Sequence, residues 1–236
     1  MDEEINYKIK LPNKLEQVKF GSEFNQIINL PKRLKKLAFN YFGSYNQPIT
    51  LPESLKYIKF SFDYDQPTIL PKTLKSVIFG CNYNQSTQLP PLLKYVNFGY
   101  DYDKPTDLPE SLKTIIFHQC YNQTTILPKL LKYIKFGLEF DQPIILPESL
   151  KTVEFDYSYN QPTFLPESVK SVKFGHEYNQ PTILPKSLKK IVFGYNFNQI
   201  IKLPDKLKKA IFSTHTNKEN VKVNAQNKTK IIYKQK

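Results

Sequence analysis

The residues best suited to nucleophilic or metal chemistry are three histidines and two cysteines, and the sequence scatters them. His118, His176 and His215 recur at no common spacing, and Cys81 and Cys120 stand apart from them. A metal centre needs His, Cys or carboxylate ligands gathered at short, characteristic intervals, and no such interval occurs. Nor is there a glycine-rich phosphate loop or a Ser-His-Asp or Cys-His grouping. The expectation is a protein that is not an enzyme and has no cofactor. Charge is the other resource: 34 basic residues face 21 acidic ones, for a net +13. Arg33 is the lone arginine. Lysine acts as a hydrated point charge, whereas base reading leans on arginine, so this surplus suggests at most non-specific attraction to polyanions such as nucleic acid.

What positions these residues is a repeat of nineteen. Leu-Pro pairs begin at Leu11, Leu30, Leu51, Leu70, Leu89, Leu108, Leu127, Leu146, Leu165, Leu184 and Leu203. A fixed period of this length means identical coils stacked along an axis. With each of these leucines as slot 1, slot 5 is Leu or Val, slot 8 is aliphatic from Val18 to Ala210, and slot 10 is Phe in every coil. Apolar slots 8 and 10 around a variable slot 9 have period two, so slots 7 to 10 read as a short strand with slots 8 and 10 inward. Slot 11 is usually Gly, replaced by Asn40, Ser61, His118, Asp156 and Ser213, which suggests a turn needing positive φ. Proline at slots 2 and 17 forbids a regular helix there. The fold class is therefore mainly β, with little helix: a solenoid of about eleven coils carrying a parallel sheet on one face.

Stacking sets like slots above one another, about 4.8 Å apart. Slot 14 becomes an aromatic column, and slots 15 and 16, mostly Asn or Asp followed by Gln, become an amide column able to hydrogen-bond along the axis. Slot 6 becomes a ladder of Lys35, Lys56, Lys75, Lys94, Lys113, Lys132, Lys151, Lys170, Lys189 and Lys208. Ammonium groups so close repel, so the ladder is either relieved by neighbouring carboxylates or offered to an anionic partner. Slot 3 alternates in sign along much of the chain, as at Glu110, Lys129 and Glu148, which would pair adjacent coils. On the outward strand face, Tyr57, Tyr95 and Tyr133 alternate with Ser76 and Thr114 at slot 7, while Ile78 and Ile116 alternate with Lys59, Asn97 and Lys135 at slot 9. An exposed stripe of this kind is how a partner-binding face looks, although a two-coil duplication would produce the same alternation.

Residues 1–10 read as a partial coil or cap, 11–212 as the repeats, and 213–236 as a C-terminal cap or tail, with short apolar alternations at Val221 to Ala225 and Ile231 to Tyr233. Repeat 2 carries two extra residues within Asn40 to Ser44, which must loop out. The start lacks the charged and apolar regions of a secretory signal, and no long apolar run exists, so a soluble, cytoplasmic protein with free thiols is expected. Sequons at Asn84, Asn122 and Asn227 then count as chance.

The strings FNQ, YNQP, LPESLK and LKxIxFG, recurring from residue 11 to 212, resemble FNIP repeats, a divergent relative of leucine-rich repeats found in slime moulds and giant viruses of amoebae. The resemblance implies a leucine-rich-repeat-like solenoid with a role in protein recognition, in the host cytoplasm if viral. Slots 5, 8 and 10 reproduce the L-x-x-L-x-L core. The asparagine ladder of leucine-rich repeats would fall at slot 13, which here is mixed (Glu23, Asp63, Asn82, Cys120), so the column that caps the turn is open. Relatives often carry an F-box ahead of the repeats, for which the first ten residues leave no room. The leading expectation is a monomeric recognition scaffold binding a protein through Tyr57, Lys59, Ile78, Tyr95, Ile116, Tyr133 and Lys135. Polyanion binding through the lysine ladder and a structural part in a viral assembly are the alternatives.

Overall fold

A computed structural model describes residues 9–223 and 228–235. Each coil begins with the Leu-Pro turn. The slot-2 proline carbonyl accepts the slot-5 N–H, as from Leu15 to Pro12, Leu34 to Pro31 and Leu74 to Pro71, all at 3.0 Å. Proline is the first residue of this turn and slots 3 and 4 are its corner, and the turn carries the buried slot-5 side chain into the core.

Ten strands follow in chain order: β1 (Gln17–Phe20), β2 (Lys36–Phe39), β3 (Tyr57–Lys59), β4 (Ser76–Ile78), β5 (Tyr95–Asn97), β6 (Thr114–Ile116), β7 (Tyr133–Lys135), β8 (Thr152–Glu154), β9 (Ser171–Lys173) and β10 (Lys190–Val192). Then come β11 (Ile201–Lys202), β12 (Lys209–Ser213), β13 (Val221–Lys222) and β14 (Lys230–Lys234). β1 to β10, β12 and β14 form one twelve-stranded parallel sheet in sequence order, and β11 pairs with β13. Helix is confined, among the described residues, to one 3₁₀ turn, Lys218–Asn220.

Register follows the repeat, with Val77 beside Val96 and Ile115 beside Ile134. Between β2 and β3 the offset widens, Lys36 facing Tyr57, because the two extra residues of repeat 2 lie after the strand. There Phe42 stands out in solvent, while Tyr41 reaches two coils onward, its Oη 3.0 Å from Cys81 Sγ.

The slot-10 Phe and slot-14 ring stack within each coil and on the next coil. Phe60 lies 4.1 Å from Tyr64 and 5.7 Å from Phe79, and Tyr64 lies 6.3 Å from Tyr83. These rings are almost wholly buried from Phe39 to Phe212. Burying each phenyl group contributes about 1.5–3 kcal/mol, so the double aromatic column is a main source of cohesion between coils.

Slots 14 and 18 act as a pair. Tyrosine at slot 14 meets threonine at slot 18: Tyr159 Oη and Tyr178 Oη each lie 2.6 Å from the hydroxyls of Thr163 and Thr182, and Tyr64, Tyr83, Tyr102 and Tyr121 pair likewise with Thr68, Thr87, Thr106 and Thr125. Where slot 14 is Phe24, Phe140 or Phe197, slot 18 is Ile28, Ile144 or Ile201. A buried hydroxyl requires a partner and a phenyl ring does not. Coil 2 breaks the rule by combining Tyr45 with Ile49, and Tyr45 Oη is buried without a hydrogen bond.

The turn is capped at slot 15, not at slot 13. Each slot-15 Oδ1 accepts the backbone N–H of slot 15 in the next coil, from Asn46 onto Asn25 at 3.0 Å through to Asn217 onto Asn198 at 3.0 Å. Slot-16 glutamines add a second donor to the same oxygen, as Gln142 Nε2 does on Asn122 Oδ1 at 3.1 Å. Only an acceptor oxygen is used, which is why Asp65, Asp103 and Asp141 serve as well as Asn.

Slot 11 is also not what its composition suggested. Among the described residues no residue, glycine included, has positive φ. The constraint is space: a Cβ on Gly80 or Gly137 would collide with the backbone carbonyl of Ser61 or His118 in the preceding coil.

The tail continues the stack. β14 lies parallel on β12 with Ile231 beside Ala210 and Tyr233 beside Phe212, and the Tyr233 ring stacks 5.8 Å from Phe212. Its two apolar alternations therefore contribute to separate sheets, Val221–Lys222 as β13 on β11 and Ile231 to Tyr233 within β14 on β12, and the part of the first alternation at residues 224–225 lies outside the described residues. The part of the N-terminal partial coil in residues 1–8 lies outside the described residues.

Candidate functional site

The parallel register sets the slot-7 and slot-9 side chains in two files on the outer face of the sheet. Tyr57, Ser76, Tyr95, Thr114 and Tyr133 form one file, and Lys59, Ile78, Asn97, Ile116 and Lys135 the other. All seven sequence-selected contact residues are therefore brought onto one continuous face. They are half-buried, not exposed. Burial and the neighbouring Tyr95 push the Tyr57 hydroxyl up from its ordinary range. Tyr133 is pushed up to about 12, by burial first and then by Glu154, whose Oε1 accepts its hydroxyl at 3.2 Å. Lys59 reaches back over the Tyr41 ring at 5.0 Å, so the repeat-2 insertion covers one end of this face.

The lysine ladder is real in its backbone: each slot-6 N–H donates to the slot-6 carbonyl of the coil before, as Lys56 to Lys35 at 2.8 Å and Lys132 to Lys113 at 2.9 Å. Its ammonium groups are spread differently. Lys35 Nζ pairs with Glu16 at 2.7 Å, while Lys132 and Lys151 reach the carbonyls of Ser149 and Ser168 at 3.4 and 3.5 Å. The slot-3 charges of Glu110 and Lys129, and of Glu167 and Lys186, are not joined in ion pairs as expected. Carboxylates of Glu110 and Glu167 accept the backbone N–H of Lys129 and Lys186 instead. Slot-4 hydroxyls, a column not singled out in the sequence, bond the slot-5 carbonyl of the coil before, as Ser168 does on Leu150 at 2.6 Å.

The histidines prove less scattered than their slots implied. Tyr157, His176 and Tyr195 stack at 4.6 and 5.0 Å, and Tyr195 Oη lies 2.9 Å from His215 Nε2. His176 Nδ1 is 2.7 Å from Glu177 Oε1. This ring file walls an open hollow of about 330 Å³ whose rim carries Asp156, Lys173 and Lys234. Among the described residues no group of three His, Cys, Asp or Glu could hold a metal ion. His118 stands apart against Tyr100, its imidazole held below the usual range by burial and by Lys135. Cys81 and Cys120 are free thiols.

Highly exposed apolar side chains recur elsewhere, in four successive coils at slot 19: Ile126, Ile145, Phe164 and Ile183. The signal was in the sequence, as four apolar residues at nineteen-residue intervals in a slot otherwise variable.

Comparison with known proteins places this architecture. The FNIP Repeat family matches residues 6–42, 45–82, 83–120, 121–158, 140–177 and 178–215. Among solved structures, the chain is similar to CroV588, a giant-virus protein described as a novel circular LRR protein, at 29% identity and a TM-score of 0.69, covering 96% of this chain and 44% of that one. It also matches YopM from Yersinia enterocolitica WA-314 at 18% identity and a TM-score of 0.46, over 90% of this chain and 64% of YopM. The chain thus spans less than two thirds of either protein's length. No curated protein matches it in sequence.

Proposed function

This chain belongs to the FNIP repeat family, and from that we propose that it is a non-enzymatic scaffold that recognises a protein partner through the strand face of coils 3 to 7. The observation carrying this reading is the pair of in-register files, with Tyr57, Tyr95 and Tyr133 beside Lys59, Ile78, Ile116 and Lys135 on a rigid parallel sheet. Half-buried tyrosines held by their neighbours lose little side-chain freedom on binding, and aromatic groups of this kind dominate interface energetics. The family and the leucine-rich-repeat-like fold fit a repeat scaffold for protein interaction. A cytoplasmic setting belongs to this reading, and the free thiols of Cys81 and Cys120 fit it. No helix among the described residues is long and apolar enough to cross a membrane. The test is quantitative affinity capture from the native host with the wild-type chain and with Tyr57, Tyr95 and Tyr133 replaced by Ala. Selective loss of one captured protein supports the face, and capture unchanged by the triple replacement discards it.

A second reading, polyanion binding, is favoured by one observation: Lys35 is the one ladder lysine with a carboxylate partner among the described residues. It requires binding to DNA, RNA or heparin that collapses with added salt and ignores sequence. Absence of binding at low ionic strength ends it.

A further inference from the structure

We propose that the slot-19 ridge is a self-association surface, and that its occupant is a second copy of this chain laid antiparallel across it. The ridge is Ile126, Ile145, Phe164 and Ile183, which are 93, 89, 77 and 88% exposed. Apolar side chains of this size left so open in four successive coils are unusual on a folded surface, where such patches mark interaction sites. The exposed slot-17 prolines Pro143, Pro162 and Pro181 widen the band, since slots 17 and 19 both face outward around an inward slot 18.

The repeat itself does not demand these residues. The same slot holds Asn29, Thr50, Gln88, Asp107 and Lys202 in other coils, and Ile69 stands isolated before Gln88. An apolar run confined to four coils is therefore a local feature and not a by-product of the consensus.

The charges at its two ends identify the occupant. The column passes from Asp107 through the four apolar residues to Lys202, five coil steps in all, or about 24 Å. Both end residues are exposed, and neither has an ion-pair partner among the described residues. A two-fold axis between Ile145 and Phe164 sets Ile145 against Phe164 of the second copy, Ile126 against Ile183, and Asp107 against Lys202 at both ends. A stripe that is acidic at one end, basic at the other and apolar between is complementary to itself reversed, which is the requirement of an isologous dimer. A parallel arrangement would place like charges together. Slot-3 residues beside the ridge, Lys129, Glu148, Glu167 and Lys186, are exposed; the same axis turns Lys129 toward Lys186 and Glu148 toward Glu167, so the ridge and its end charges, and not this rim, must hold the two copies together.

The association needs neither the strand face nor the lysine ladder, so its failure and theirs are separable. The patch is smaller than a standard stable interface, which points to a dimer that forms in the micromolar range. Sedimentation velocity over a concentration series up to about 100 µM is the test. The wild-type chain should pass from monomer to dimer. Phe164→Asp, at a side chain that makes little core contact, should weaken the dimer at least about tenfold while circular dichroism stays unchanged. Asp107→Lys and Lys202→Asp should each weaken it, and the double replacement should restore it, because the ion pairs re-form with signs exchanged. Ile145→Glu is a second probe of the ridge should Phe164→Asp disturb the fold. A chain that stays monomeric throughout, a dimer indifferent to both ridge replacements, or a double charge swap that fails to recover the wild-type association would each overturn the proposal.

Discussion

Replacing Tyr45 by Phe should stabilise this protein, whereas the same replacement at Tyr83 should destabilise it. Both rings occupy slot 14 and both are buried. Tyr45 stacks on Phe39 at 3.9 Å and Tyr83 on Phe79 at 4.1 Å, and a phenyl ring preserves either stack. They differ in the hydroxyl. Tyr45 Oη has no partner because slot 18 of its coil is Ile49, while Tyr83 Oη bonds the Thr87 hydroxyl. A buried polar group left unsatisfied costs about 1–3 kcal/mol, and removing it at Tyr45 forfeits no bond. Allowing for the small void left by the oxygen, the gain should be about 1 kcal/mol. At Tyr83 a satisfied pair is broken. Thr87 keeps its bond to the Gln85 carbonyl at 3.1 Å, so the loss should be about 0.5–1.5 kcal/mol. Urea titration monitored by circular dichroism measures both, provided the slope m is unchanged between variants. The midpoint should rise for Tyr45→Phe and fall for Tyr83→Phe. Shifts of the same sign would refute the claim that slots 14 and 18 are coupled by hydroxyl satisfaction.

Two further outcomes follow from the same columns. Burial pushes Tyr64 and Tyr121 up to about 12, above the ordinary tyrosine value of about 10 in the unfolded chain. Their folded form therefore favours the neutral ring, so this contribution is whole below about pH 10 and is lost as pH rises towards about 12. Tyrosinate absorbance and loss of β-signal should consequently rise together in alkali, and ionisation of the whole set at about pH 10 with the fold intact would contradict this burial. In the slot-15 column, Asn179 Oδ1 accepts Asn198 N–H at 2.9 Å and Gln199 Nε2 at 3.3 Å. Asn179→Asp keeps that acceptor and should change stability by under about 0.5 kcal/mol, while Asn179→Ala should cost about 2 kcal/mol, both read by the same titration.

The solenoid was legible because its causes are local and repeated. Leucine or valine at slot 5, an aliphatic side chain at slot 8 and phenylalanine at slot 10, eleven times over, leave one way to bury a common face, and β1 to β10 and β12 fall where that pattern puts them. The capping column was left open by the sequence for a physical reason. Slot 13 had the leucine-rich-repeat spacing, but the acceptor that reaches the next coil's N–H is at slot 15, a distinction that depends on where the backbone turns. Slot 11 showed the composition of a positive-φ turn, yet the constraint is a neighbouring carbonyl one coil away, which no single coil reveals. The Tyr-Thr and Phe-Ile coupling of slots 14 and 18 could have been read directly, since Phe24 with Ile28, Phe140 with Ile144 and Phe197 with Ile201 are in the sequence. The tail was harder. Without a Leu-Pro turn, Ile231, Ile232 and Tyr233 give too short an alternation to disclose that β14 extends the main sheet. The seven residues chosen for the strand face do share one face of the sheet, but they are half-buried where the sequence suggested exposure.

The central claim is that residues nineteen apart occupy the same place in successive coils, and distances between spin labels measure it directly. With Cys81 and Cys120 replaced, nitroxides at Lys59 and Lys135 span four ladder steps, and nitroxides at Lys59 and Lys173 span six. At about 4.8 Å per step the two separations should centre near about 19 Å and about 29 Å, longer for the pair farther apart in sequence. Separations that do not grow with the number of coils between the labels would contradict a stacked solenoid.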